Sequence, residues 1–245
     1  MKLFKLTDFL SKTYKNTQWG KNVTHSVLKE RQGTELCSPE VIHAYKNLNL
    51  ALLLNPIHSS FSSPKAWEAK GKVVSEDWGK VGCWKLTTLE QLDIPDWYTD
   101  KYKRKRVQVR FAILCAEKVL KYFEDICPDD QRPRKAIEAA KDFLKASKTK
   151  RLRIRNADFV VVARGASDAA YNAAYDAGKK GYFNHINASD AATVAAHAAS
   201  SIGSAASAAR TASAANRITY KDIKLTINFS TLADKAVSIE EENNE

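Results

Sequence analysis

The sequence predicts an α+β chain: a small N-terminal α+β domain over residues 1–96, a linker over 97–106, and an Ala-rich antiparallel helical bundle over 107–245 with a late strand. Three observations carry this prediction. Residues 67–74 and 80–86 alternate with a period of about two. The segment 107–147 places Phe111, Cys115, Val119, Tyr122 and Ile126 on one helical face. Further on, 14 of the 28 residues from Ala188 to Ala215 are alanine, the residue of highest helix propensity.

In chain order, Leu48–Leu54 is an apolar run that Asn55-Pro56 should stop, because proline disfavours helix at the residue before it. Trp67–Val74 and Lys80–Leu86 read as strands, with Gly71, Trp78-Gly79 and Gly82 supplying turns or bulges. Pro95 and the polar stretch 96–101 open the linker. The first bundle helix ends at Pro128-Asp129-Asp130. The second starts after Asp130 or Gln131, with Pro133 in the first turn, where its missing N–H is not needed. So short a polar turn makes the two helices antiparallel. Arg132, Arg134 and Lys135, beside Asp129 and Asp130, read as an ion-paired cap.

Two long alanine-rich helices follow. One spans 158–177 and ends at Gly178, with Tyr171 and Tyr175 repeating at i+4; the other runs from Ser189-Asp190 to about Asn216. The small-residue stripe Ala191, Ala195, Ala199, Ile202, Ala206, Ala209 also suits close packing between subunits, so a homo-oligomer is expected. Ile223, Leu225, Ile227 and Phe229 alternate with polar residues as the late strand. The acidic end, Glu240–Glu245, reads as frayed.

Composition bounds the function. The chain carries 39 Lys and Arg against 28 Asp and Glu, net +11, yet residues 1–100 and 156–245 are nearly neutral. Residues 101–155 hold 18 basic and 7 acidic side chains, the whole surplus. No apolar stretch is long enough for a membrane span or a signal-peptide core. Four dispersed cysteines without a Cys-x-x-Cys pair fit reduced, buried or inert thiols in the cytoplasm, the host cytosol if the chain is phage-encoded. No metal spacing links His25, His43, His58, His185 and His197; the first three could converge around a ligand, but structural roles are the commoner outcome. A P-loop, a Rossmann fingerprint and a Gly-x-Ser-x-Gly elbow are all missing, so no cofactor is implied and no catalytic set can be named.

The basic segment is the sharper signal. Lys103, Arg104, Arg106 and Arg110 enter the first hairpin helix, and Arg151, Arg153 and Arg155 leave the second. An antiparallel hairpin brings both clusters to its open end, where a helix N-terminus adds positive potential. Trp19, His43 and Tyr45 are candidates to stack on or hydrogen-bond a base.

Two stretches resemble known families. Phe111–Leu120 with Asp129-Asp130-Gln131-Arg132-Pro133-Arg134-Lys135-Ala136-Ile137-Glu138-Ala139 resembles the core of an immunity-protein family of bacterial polymorphic-toxin systems, over roughly 108–217. That resemblance implies an Ala-rich helical bundle whose partner is a toxin. Trp19–His25, Leu36-Cys37-Ser38, Ile42–Tyr45 and Leu54–His58 resemble an uncharacterised domain common in bacteriophage proteins.

Three functions compete on these grounds. The leading expectation is a non-enzymatic, phage-type counter-defence factor that sequesters an anionic nucleotide-derived signal on the basic face. The alternative is an immunity or inhibitor protein whose basic face meets an acidic toxin or defence effector. Nucleic-acid binding ranks third, because the charge allows it but no recognised motif accompanies it.

Overall fold

Residues 65–92 form a long β-hairpin because two apolar-alternating segments flank a turn that the sequence closes for itself. Asp77 Oδ1 accepts the N–H groups of Gly79 and Lys80, each at 2.8 Å. The strands of this hairpin are β6 (Lys65–Glu76) and β7 (Val81–Leu92). In the computed structural model, β1 (Leu3–Thr7) pairs antiparallel with β6, while β4 (Thr24–Ser26) and β5 (Ile42–Ala44) pair antiparallel with β7. A bridge between Phe4 and Tyr45, with N–H···O distances of 2.8 and 2.9 Å, links the chain just beyond β5 back to β1 and closes the strand ring. β2 (Lys12–Thr13) and β3 (Thr17–Gln18) make a separate two-stranded ribbon. Leu3, Trp19, Ala44, Ala69, Val81, Cys83 and Leu86 fill the core. Gly71 sits where a Cβ would lie 2.7 Å from the Lys85 carbonyl oxygen, so only glycine lets β6 approach there.

The apolar run at Leu48 is helical, and it does not stop at Asn55. α1 spans Leu48–His58 with Pro56 inside it, capped by Asn47, whose side chain accepts the Leu50 N–H at 2.8 Å. Beyond Pro56 the Asn55 side chain holds the exit turn, donating to the Phe61 carbonyl at 2.8 Å and accepting the Phe61 N–H at 3.1 Å. Residues 97–106, read from the sequence as a linker, are largely helical. α2 (Asp96–Thr99) buries Trp97 and Tyr98, and Trp97 Nε1 donates to Asn49 Oδ1 at 2.9 Å.

The described residues are 1–146, 156–179, 183–202, 204–221 and 226–242. They divide into two compact units, Met1–Thr99 and Asp100–Glu245. The second unit is helical. α3 (Lys101–Val119) starts at Asp100, whose Oδ1 accepts the N–H groups of Tyr102 at 2.7 Å and Lys103 at 3.0 Å. After the short α4 (Lys121–Glu124), α5 (Arg132–Ala146) begins with Pro133 in its first turn, beside Asp130 Oδ1, which accepts the Arg132 N–H at 3.0 Å. Arg106 reaches the carbonyl of Leu144 at 2.9 Å, and Arg134 pairs with Glu124, so α3 and α5 run antiparallel.

α6 (Asn156–Gly178) is followed by α7 (Phe183–Ser200) and α8 (Ala205–Lys221). The sequence reading of one helix from 189 to 216 is corrected here, because the chain turns between Ser200 and Ala205. Ser201 Oγ donates to the Ala198 carbonyl at 2.6 Å, the Ile202 N–H tightens to Ala199, and the Ser204 hydroxyl accepts the Ser207 N–H at the start of α8. α7 packs against α3, α4, α5, α6 and α8, which explains its composition. A helix covered on so many sides needs small apolar residues all round, and Ala191, Ala192, Ala195, Ala196, Ala198 and Ala199 are all buried. The stripe expected to join subunits is therefore largely consumed inside this unit.

The late strand is corrected at its described residues, Ile227 and Phe229. Residues 223–225 lie outside the described residues, Thr226–Asn228 have no regular structure, and Phe229 opens α9 (Phe229–Glu242). The Asn228 side chain accepts the Thr231 N–H at 3.0 Å, an N-cap that overrides the short alternation before it. Among the described residues no helix is long and apolar enough to cross a membrane.

Candidate functional site

The basic residues named from the sequence part company in the structure. α3 is buried on all sides from Arg106 to Ile113, so Arg106 and Arg110, one turn apart, enter the interior together. Glu240 of α9 meets them there, only 2% exposed. Arg106 Nε donates to both Glu240 carboxylate oxygens at 2.9 and 3.0 Å, and Arg110 Nη1 donates to Oε2 at 2.9 Å and to the Ala236 carbonyl at 3.3 Å. Burial lowers the Arg110 pKa, and Glu240 works against that shift. The acidic end read as frayed is thus anchored at Glu240. The expected nucleotide-binding face loses two of its cations to this internal pairing.

Lys103 and Arg104 remain half-buried on the first turn of α3. Lys105 Nζ donates to the Ser201 carbonyl at 3.4 Å, and burial lowers its pKa. Arg151, Arg153 and Arg155 lie outside the described residues. Of the trio at the closed end, Arg132 pairs with Asp130 at 2.6 Å and with Asp176 of α6 at 3.0 Å.

Trp19, His43 and Tyr45 belong to the first unit and are tied into its interior. Trp19 Nε1 donates to Thr13 Oγ1 at 2.9 Å, and His25 meets its ring edge-on at 4.6 Å. Tyr45 is buried with its hydroxyl 3.2 Å from His58 Nδ1, and burial pushes its phenol up. His43 Nε2 accepts the Cys37 N–H at 3.0 Å. Burial, followed by the charge of Lys80, lowers the pKa values of His43 and His58 to about 4, so both rings are neutral at neutral pH. His25 is instead held at Trp19. Among the described residues no group of His, Cys, Asp and Glu could hold a metal ion.

Sequence reasoning missed a different surface. On α6, Tyr171 is 38% exposed and Tyr175 is 65% exposed, one turn apart on a helix otherwise rich in alanine. Ala170, Ala173, Ala174 and Ala177 of α6 are buried, whereas the two tyrosines keep exposed surface. Tyr171 Oη lies 2.9 Å from His197 Nδ1 of α7, with the rings perpendicular at 5.6 Å. Lys179 Nζ sits 4.2 Å above the Tyr175 ring, a cation–π contact. Burial, followed by Arg210 and Arg217 of α8, lowers the His197 pKa to about 4. Arg164 and Arg210 are exposed, and Arg217 pairs with Asp190 at 3.5 Å. This is an amphipathic patch of tyrosine rings with guanidinium groups, the side-chain types enriched where protein surfaces dock. Its legible signal was the Ala-Ala-Tyr repeat at Tyr171 and Tyr175.

The family model described as Imm-5 like putative immunity protein matches residues 99–240. The chain belongs to this family. The match covers nearly all of the helical unit, from the Asp100 cap of α3 to Glu240. It therefore includes the α6 tyrosines and the α3–α9 ion-pair cluster, while residues 1–98 lie outside it. No curated protein and no solved structure matches the chain.

Proposed function

We propose that this chain is an immunity protein that neutralises a toxin of a polymorphic-toxin system by binding it through the tyrosine-bearing face of α6 and α8. The observation that carries the reading is the family match over 99–240, which coincides with the helical unit. The face follows from physics. Tyr171 and Tyr175 already expose rings with two rotatable angles each, so their ordering on binding costs little entropy. His197 holds Tyr171 in place, and Lys179 shields one side of Tyr175. Arg164 and Arg210 can donate charge-assisted hydrogen bonds to carboxylates of the partner.

Neutralisation by binding asks for no catalytic group here, only a complementary surface that blocks the toxin. Growth of bacteria that express a polymorphic-toxin domain tests this directly. Co-expression of the full chain restores growth against its cognate toxin. The double variant Tyr171→Ala/Tyr175→Ala, folded as judged by circular dichroism, loses at least ~2 kcal/mol of affinity and fails to rescue. Rescue by the double variant equal to wild type would move the interface elsewhere on the chain.

A further inference from the structure

Cys37 departs from the buried or inert thiols expected of this chain. Cys83 and Cys115 are buried and Cys127 is partly covered, whereas Cys37 is exposed. Its backbone occupies the left-handed region, φ 69°, uncommon for a residue with a side chain, and its N–H is held by His43 Nε2 at 3.0 Å. Lys80 approaches from the β6–β7 turn. Its backbone is fixed by Asp77, the residue as a whole is only 9% exposed, and its Nζ donates to Cys37 Sγ at 2.6 Å. A nucleophilic nitrogen and an oxidisable, exposed sulfur are thus held against each other.

We propose that Cys37 and Lys80 form a peroxide-responsive couple that closes to a covalent sulfur–nitrogen bond. The co-reactant is a hydroperoxide. The Cys37 thiolate attacks the terminal peroxide oxygen; the S–O bond forms, the O–O bond breaks, sulfur is oxidised by two electrons and the peroxide is reduced. The Lys80 ammonium protonates the departing oxygen as water or alcohol, which leaves Lys80 as a neutral amine beside a sulfenic acid. That amine then attacks sulfur. The N–S bond forms, the S–O bond breaks, and hydroxide takes the surplus amine proton to leave as water. The net change is the loss of two hydrogens from the protein, and a thiol reductant reverses it. Closure would pin the segment around Cys37 to the hairpin turn that precedes β7.

The test uses the full chain, hydrogen peroxide at neutral pH, intact-mass measurement and peptide mapping without reductant. The couple predicts a chain lighter by ~2 Da, a Cys37 peptide joined to a Lys80 peptide, and recovery with dithiothreitol. Cys37 should be consumed at least ~10-fold faster than Cys127 in the same molecules, a comparison that needs no variant. Lys80→Arg keeps the cation but not the amine nucleophile, so it should yield a dimedone-trapped sulfenic acid at Cys37 and no cross-link. Oxidation of Cys37 no faster than Cys127, or oxidised wild-type Cys37 without the joined peptide, would overturn the proposal.

Discussion

Glu240→Ala is the most informative perturbation of the helical unit. The wild-type carboxylate receives three charge-assisted hydrogen bonds from Arg106 and Arg110, and all three side chains are nine-tenths or more buried. Truncation removes from the interior the carboxylate that both guanidinium groups share. Removing one partner of a buried ion pair costs ~3–5 kcal/mol, and the repulsion between the two arginines favours the upper part of that range. Domains of this kind are stable by ~5–15 kcal/mol, so the loss takes a large fraction of the total. Urea unfolding followed by helical circular dichroism reads it. At ~1–3 kcal/mol per molar of urea, the midpoint should fall by roughly 1–5 M. Glu241→Ala, one residue away and exposed, should stay within ~0.5 kcal/mol of wild type. A Glu240→Ala loss below ~1 kcal/mol, indistinguishable from Glu241→Ala, would contradict a buried ion-pair cluster, because that is the size of an exposed pair.

Three further outcomes follow from the packing and the titrating groups. Gly165 is exposed in α6, and a Cβ there would meet nothing within 4 Å, so Gly165→Ala should raise stability by ~0.5–1 kcal/mol; an unchanged or lower melting temperature contradicts it. Ala195, fully buried in α7, has no space for three more carbons, and Ala195→Leu should lower stability by ~1–3 kcal/mol or more in the same urea assay, whereas a neutral result would show a loosely packed bundle. His43, His58 and His197 have folded pKa values of about 4, below the ~6.5 of an unfolded chain. The unfolded chain therefore binds protons first on acidification. Their contribution is fully present above pH ~6.5 and declines as pH falls towards 4, by at most ~1 kcal/mol per pH unit for each ring after allowance for partial exposure. Melting temperatures at constant ionic strength should drop across this window, and His197→Gln should flatten the drop; an equal slope in that variant would exclude His197 as a contributor.

The fold class and the alanine-rich bundle were legible because they rest on short-range pattern. Alternation at 67–74 and 80–86 is the direct image of a half-buried hairpin, and Asp130 with Pro133 marks a helix start by local chemistry. The break between α7 and α8 was hidden by uniformity: alanine and serine on both sides carry no change of period, and the turn depends on side-chain bonds from Ser201 and Ser204. The Arg106–Glu240–Arg110 cluster was hidden by distance, since 130 residues separate Arg110 from Glu240. A terminal acidic run and a basic helix start each read as solvated when taken alone. One local sign was available: Arg106, Gln108 and Arg110 interrupt a stretch otherwise filled by Val107, Val109, Phe111, Ala112 and Ile113, all buried. Charges set in so apolar a segment call for an internal partner. The tyrosine face was present as a repeat, but its exposure depends on which side of α6 meets α7, and that is a tertiary fact.

Bacterial growth tests most directly the proposal that the helical unit neutralises a toxin by binding it through the α6–α8 face. The direct measurement is growth of bacteria expressing polymorphic-toxin domains one at a time, each with the full chain, with Tyr171→Ala/Tyr175→Ala, or with no second protein. Growth restored against a cognate toxin by the wild-type chain, and lost with the folded double variant, is the predicted result. Continued arrest by every toxin domain in the presence of the wild-type chain would contradict it.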